Sequence, residues 1–255
     1  MSERLASVII EHPGLVIATS GGVDSMTLAS FAHRLDRTVM MVHAVSPAVP
    51  PAATERVEAM AKAQGWRLHI IGSGEFEDPR YRDNPANRCY FCKTNLYQRI
   101  RSISNAPIAS GTNQDDLADF RPGLAAASES SVIHPYVLAG MDKKTVRRLA
   151  RELGLDAVAE LPAQPCLASR IETGIAISAD DLAFVDAVEV AVRALCPANS
   201  NVRCRVTRQG IEIELDDGAM PMRDRIELVV ASRCRAEGRV LVGIHGYRQG
   251  AMFLR

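Results

Sequence analysis

An alternation of short apolar runs with longer amphipathic stretches leaves this chain few folds to choose from. Strand-like runs are expected at 14–19, 38–45, 67–72, 107–110 and 131–134. Helical periodicity fills the gaps at 23–34, 53–64, 91–103, 115–119 and 142–153, with Gly65 and Gly154 placed as stops. Strand, helix, strand repeated in this way predicts a parallel sheet with crossover helices, whose ligands gather at the carboxyl ends of the strands. Residues 155–177 interrupt the rhythm with AELPAQPCLASRIETG, rich in proline. Beyond it a helix at 179–195, a hairpin at 201–216, a helix at 221–236 and a strand at 239–245 predict a small α+β region. The expected fold class is therefore α/β, a doubly wound parallel sheet with a smaller C-terminal α+β domain, divided as 1–165 and 166–255.

The end of the first strand carries SGGVDS, residues 20–25. Gly21 and Gly22 let the backbone turn with positive φ and approach a ligand closely. The amides of residues 21–25 then open the next helix, where N–H groups and the helix dipole favour an anion. Ser20 and Ser25 add hydroxyls. No lysine follows as it would in a Walker loop, and a plain tight turn capped by Asp24 or Ser25 is the competing reading.

Composition narrows the partners. Thirty basic and thirty acidic side chains cancel over 255 residues, so no bulk positive field exists to hold nucleic acid. Glu11 and His12 break the opening amphipathic stretch, and no run approaches the ~18 apolar residues of a membrane span. The expected setting is cytoplasmic, with neither membrane nor nucleic acid as partner. Six cysteines in such a chain point to thiols, metal ligands or catalysts rather than disulfides.

Set after a strand, SGGVDS resembles the PP-loop of the ATP pyrophosphatases, α/β enzymes that cleave ATP to AMP and pyrophosphate. That resemblance implies ATP and magnesium as cofactors. It gives Ser20, Gly21, Gly22, Val23, Asp24 and Ser25 the task of holding the departing pyrophosphate, for which no Walker lysine is required. Asp24, itself an anion, is expected to act through magnesium or by fixing the loop. Three further strings follow in order: NPANRCYFCK (84–93), SGTNQDDLADFRPG (110–123) and CLASRI (166–171). With VRCRVT (202–207) and HGYRQG (245–250), they resemble the LarE-type sulfur transferases of nickel-pincer cofactor biosynthesis through nearly the whole chain.

The LarE resemblance implies adenylylation of a carboxylate of a pyridinium biscarboxylate mononucleotide, then replacement of AMP by sulfur to leave a thiocarboxylate. Cys166 matches the sulfur-donating cysteine of that family. Cys89 and Cys92 match the extra pair of its cluster-bearing members, which implies a 4Fe–4S cluster on Cys89, Cys92 and Cys166. The sulfur then comes from Cys166 itself or from a cluster-bound sulfide. Arg203, Arg205 and Arg248 are expected to grip the phosphate of the mononucleotide through paired N–H donors, which lysine cannot imitate. A homo-oligomer is also implied.

Read without the resemblance, several of these residues keep two meanings. Cys-x2-Cys is common to zinc ribbons, redox pairs and iron–sulfur sites, and to core thiols on a helix. Thr112 and Asp115 have capping-box spacing, so Asp116, Asp119 and Arg121 decorate either a solvated helix start or a magnesium site. With a Gln209–Gly210 turn, Arg205 would face Glu214 and Arg203 would face Asp216 as exposed ion pairs. Cys196, Cys204 and Cys234 are expected to have no chemical role, with Cys204 in the core, and His43, His69 and His134 are expected as core imidazoles. The rival functions are a tRNA thiolase of the PP-loop type and a non-catalytic nucleotide sensor with a structural zinc site.

Overall fold

The computed structural model describes residues 2–118, 121–198 and 200–248. Helix α1 (Ser2–Ile10) precedes strand β1 (Val16–Ala18), α2 (Val23–Leu35), β2 (Met40–Val45), α3 (Pro51–Gln64) and β3 (Arg67–Gly72). There follow α4 (Pro79–Arg82), α5 (Arg88–Ile103), β4 (Ile108–Ala109), α6 (Gly123–Glu129), α7 (Pro135–Ala139), α8 (Lys143–Glu152) and α9 (Asp156–Ala159). The last elements are α10 (Ala179–Arg193), β5 (Val202–Thr207), β6 (Gly210–Leu215), α11 (Arg223–Ala236) and β7 (Leu241–Gly246). The backbone falls into two compact units, Met1–Asp78 with Asn87–Gln164, and Pro79–Ala86 with Pro165–Arg255. Asp119 and residues 249–250 of HGYRQG lie outside the described residues.

The first unit is an α/β layer structure on a four-stranded parallel sheet in the order β3-β2-β1-β4. Alternation of side chains divides its core in two. Ile17 and Met41 point to one face, against Leu5 and Ile9 of α1, Met26 and Ala29 of α2, Val57 of α3 and Val146 of α8. Val16, Met40 and Val42 point to the other, against Leu96, Tyr97 and Ile100 of α5 and Ala126 of α6. Burial on both sides explains why Leu15–Ile17 reads as an unbroken apolar run.

Two expected elements differ. Residues 131–134 make no strand: Ile133 forms only an isolated parallel bridge to Ala109, because Ser131 takes positive φ and Pro135 opens α7 at once. The helix expected at 115–119 is a 3-10 turn over Gln114–Ala118. His69 is exposed rather than core, since β3 is an edge strand bare on much of its surface. His43 is buried as expected, with both ring nitrogens bonded.

The second unit carries a three-stranded sheet in the order β5-β6-β7, antiparallel then parallel. Thr207 pairs with Gly210, so the hairpin turn is Arg208–Gln209, one residue earlier than expected. Gly210 has φ +136°, and a Cβ there would meet the Val240 carbonyl oxygen at 2.5 Å. Gly210 therefore begins β6 and is not a turn residue. Arg203 faces Glu214 and Arg205 faces Glu212, and all four are buried, not exposed. The opposite face is apolar: Val202, Cys204 and Val206 pair with Leu215, Ile213 and Ile211. Residues 79–86 join this unit through Asn84, whose Nδ2 donates to the carbonyls of Ile171, Glu172 and Ile175.

A buried ion network organises this unit. Arg170 Nε and Nη2 donate to the two carboxylate oxygens of Glu189 at 2.8 and 3.0 Å. Glu189 also accepts from the Cys204 amide at 3.0 Å and from Arg193 at 2.5 Å. Burial alone would raise the Glu189 carboxyl, but the hydrogen bonds and charge of Arg170 hold it below its ordinary value. A carboxyl lowered on folding adds stability above its unfolded value of ~4.3 and loses it as pH falls through the folded one. Denaturant titration at pH 7 should show Glu189→Gln less stable by about 3–5 kcal/mol, because it strands a buried guanidinium. The same variant should lose less stability than wild type on going to pH 3. Equal acid sensitivity would mean that Glu189 is not the acid-labile element.

Candidate active site

The glycine loop sits where the sheet's strands end. After β1, the Thr19 amide donates to the Val42 carbonyl, and the Thr19 carbonyl accepts from His43 Nδ1 at 2.8 Å. His43 Nε2 in turn meets Thr54 Oγ1 at 2.9 Å, and burial depresses the pKa of this imidazole. Gly21 takes φ +79°, whereas Gly22 is the N-cap of α2 with φ −86°. Positive φ is thus needed at Gly21 alone. The first intrahelical bond of α2 runs from the Met26 amide to the Gly22 carbonyl, which leaves the amides of residues 23–25 as the open donors of the first turn.

The two serines lace the loop together. Ser25 is buried; its Oγ accepts from the Ser20 amide at 3.0 Å and donates to the Gly22 carbonyl at 3.2 Å. Ser20 Oγ lies 3.1 Å from it and is on an exposed residue. Asp24 projects from the first turn and is met by two other segments. Lys143 Nζ binds its Oδ2, and Asn113 Nδ2 donates to its Oδ1 at 3.3 Å. Lys143 is itself placed by a bond from its backbone amide to Asp115 Oδ2 at 3.0 Å. Tyr136, fully buried, donates its hydroxyl to the Asp24 carbonyl at 3.0 Å.

SGTNQDD folds directly over this turn. A Cβ on Gly111 would come within 2.8 Å of the Ser25 amide nitrogen, so only glycine permits the approach. The reciprocal cap expected of Thr112 and Asp115 is displaced by one residue. The Asn113 amide donates to Asp116 Oδ2 and the Asp115 amide to Asn113 Oδ1, each at 3.0 Å. Thr112 instead joins Ser110 Oγ at 3.0 Å, and Ser110 joins His134 Nδ1 at 2.9 Å. Asp116 pairs with Arg121 at 2.8 Å.

The cysteines separate by environment. Cys89 and Cys92 lie one turn apart on the first turns of α5, both half-buried. Gly123 packs α6 against that turn, since its Cβ would sit 3.5 Å from the Cys89 carbonyl oxygen. Cys166 is exposed and stands at the N-cap of a 3-10 turn, Leu167–Arg170, in the second unit. Arg170 Nη1 donates to the carbonyls of Pro165 and Cys166 at 2.7 and 3.2 Å, which fixes the backbone that carries the thiol. Among the described residues of either unit, no three His, Cys, Asp or Glu side chains gather into a metal-ligating group. Burial pushes up the thiols of Cys196, Cys204 and Cys234, in keeping with an inert role.

Of the three arginines, Arg203 and Arg205 lie on one face of β5. Arg205 is committed to Glu214 through Nε and Nη2 at 2.9 and 2.6 Å, and to the Ser169 carbonyl at 3.0 Å. Arg203 has its Cζ 5.5 Å from the ring centre of Tyr247, the neighbour of the exposed Arg248. Burial lowers its pKa to about 10. No local spacing in the sequence marks Lys143, Arg56, Asn113, Gly111 or Tyr136 for the loop they contact. One signal did exist for Lys143: two lysines open α8, where the helix dipole disfavours cations.

Gly21→Ala meets both positive φ and the Ala53 carbonyl oxygen 2.7 Å from the new Cβ, whereas at Gly22 the nearest atom is 3.6 Å away. Thermal melts should therefore show Gly21→Ala clearly destabilised, by about 1–2 kcal/mol from the backbone alone, and Gly22→Ala close to wild type. The reverse order would remove Gly21 as the steric hinge of the loop.

No family model matches the chain. The uncharacterized protein slr1717 of Synechocystis sp. is 35% identical over 218 residues, 84% of this chain and 80% of its own length. MJ0830 of Methanocaldococcus jannaschii, also uncharacterized, is 26% identical over 238 residues, 92% of this chain and 90% of that protein. The pyridinium-3,5-bisthiocarboxylic acid mononucleotide synthase of Lactiplantibacillus plantarum is 27% identical over 258 residues, 97% of this chain and 92% of that protein. This protein belongs to one family with slr1717 of Synechocystis, and the Lactiplantibacillus synthase is its distant homologue.

Proposed function

We propose that the chain is an ATP-dependent sulfur transferase of the LarE type, acting on a carboxylate of a pyridinium biscarboxylate mononucleotide. The observation that carries this reading is the strand–glycine–helix loop with its Asp24 already neutralised by Lys143. It occurs in a chain that aligns over 97% of its length with a synthase named for a bisthiocarboxylic acid mononucleotide. Residues 1–165 are assigned to adenylylation and residues 166–255 to substrate binding and assembly into a homo-oligomer. No helix among the described residues is long and apolar enough to cross a membrane; a cytoplasmic setting and a small-molecule substrate are part of this proposal.

In this reading the amides of residues 21–25 hold the β,γ-phosphates of magnesium-bound ATP. A carboxylate oxygen attacks the α-phosphorus; the new O–P bond forms as the α–β bridge breaks, and pyrophosphate leaves with the electron pair. Asp24, gripped by Lys143 and Asn113, fixes the loop during this step. The Cys166 thiolate then attacks the acyl carbon, and AMP departs with the C–O electrons. Removal of the Cys166 Cα proton drives the Cβ–S electrons onto sulfur, which leaves thiocarboxylate on the substrate and dehydroalanine on the protein. Exposure of Cys166 and the Arg170 brace on its backbone suit a thiol that must meet a bulky acyl-adenylate.

Two thiols on one helical turn, Cys89 and Cys92, suit two ligands of a 4Fe–4S cluster, and Cys166 is assigned as the third on the family resemblance alone. Such a cluster, once bound, would supply a sulfide in place of the cysteine's own sulfur. Arg203 and Arg248 are assigned to the phosphate of the mononucleotide, with Arg205, committed to Glu214, shaping the same face.

Intact mass of anaerobic protein before and after turnover tests the sulfur step. A loss of about 34 Da, one H2S, marks Cys166 as sacrificial; unchanged mass with continued turnover marks delivery from a cluster. Undiminished thiocarboxylate formation by Cys166→Ala would overturn both routes.

A further inference from the structure

Arg56 touches the glycine loop from the side opposite its open donors. Its Nη1 donates to the Gly21 carbonyl at 2.6 Å, a short, charge-assisted bond, and lies 3.4 Å from Gln164 Oε1. Arg56 is half-buried, and desolvation lowers its pKa. Ala53, one turn earlier on α3, is the residue whose carbonyl would collide with any side chain at Gly21. One face of α3 thus both demands glycine at position 21 and takes hold of its carbonyl.

The consequence follows from peptide geometry. In a trans peptide the C=O of one residue and the N–H of the next point in opposite directions. With the Gly21 oxygen turned to Arg56, the Gly22 N–H is turned away from α3. Among the described residues that N–H has no backbone acceptor, and it lies beside the open amides of the first turn of α2. A Gly–Gly peptide has little steric resistance to flipping, and a flip would present a carbonyl oxygen, not an N–H, to an anion.

We infer that Arg56 is a positioning residue that pins the Gly21–Gly22 peptide with its N–H toward the anion site, so that the loop is set for pyrophosphate before it binds. This rests on the phosphate-loop reading above. Gln164 stands two residues before Cys166, so the same guanidinium links the loop to the strand of chain that leads to the sulfur donor. Arg56 has no contact with the reacting atoms in this scheme; it acts through the Gly22 amide.

The test is calorimetric titration of the full chain with inorganic pyrophosphate, together with amide NMR of Gly22. Arg56→Met should bind pyrophosphate about tenfold more weakly, with the deficit persisting at about 0.5 M salt, where the bare charge effect is screened. Its Gly22 amide signal should double or broaden, while the wild-type signal is single and shifts on titration. Arg56→Lys, which keeps a donor and the charge, should recover most of the affinity and serves if the methionine variant folds poorly. Equal affinity of Arg56→Met and wild type, or a deficit that disappears in salt, overturns the inference alone. Wild-type protein that binds no pyrophosphate overturns the loop reading together with it.

Discussion

Two backbones approach the first turn of α2 as closely as atoms allow, and the first unit is arranged around that constraint. On one side Gly21 lies against Ala53 of α3, and on the other Gly111 lies against the Ser25 amide. A side chain at either position would need the neighbour's backbone to move, which close-packed interiors resist. The loop is therefore clamped by segments from two other places in the chain, which hold its amides in position. Asp24 adds a charge to a spot suited to anions, and Lys143 answers it from α8, 119 residues away. Neither side chain is fully buried, so the pair's value lies in geometry and local charge more than in net stability.

The second unit solves a different problem. Its sheet has one apolar face and one face bearing Arg203, Arg205, Glu212 and Glu214, all buried. Burying so many charges costs more than packing aliphatic side chains, and it is tolerable only when each is hydrogen-bonded. The Arg205–Glu214 and Arg170–Glu189 pairs meet that condition with two-pronged contacts. The arrangement is expensive for stability, but it fixes the direction of each paired guanidinium.

Much of this was legible in the sequence, and the omissions have physical causes. The periodic runs placed β1 and β2, which are apolar because they are buried within the sheet, and also the exposed edge strand β3, along with their helices. The stretch 131–134 offers only Val132 and Ile133 as apolar residues, and Pro135 turns the chain into a helix after one bridge. The hairpin slipped by one residue because Gly210 looks like a turn residue when its role is close approach to residue 240. That slip set Arg203 opposite Glu214 and Arg205 opposite Glu212 in the ladder, although Arg205 still forms its ion pair with the expected Glu214. SGGVDS marked the loop, but Lys143, Arg56 and Tyr136 contact it only through tertiary folding, and no local spacing announces such contacts. Cys89 and Cys92 were recognisable as a pair by spacing, whereas the exposure of Cys166 followed from its proline-rich setting.

The central claim is that the glycine loop serves to make an acyl-adenylate. Exchange of labelled pyrophosphate into ATP, measured with and without the pyridinium biscarboxylate mononucleotide, tests it most directly, since exchange requires reversible formation of the adenylate and release of pyrophosphate. The account predicts exchange that depends on the mononucleotide and on magnesium, survives Cys166→Ala and is lost in Gly21→Ala. Cleavage of ATP to ADP and phosphate, or no exchange with that substrate present, would contradict it.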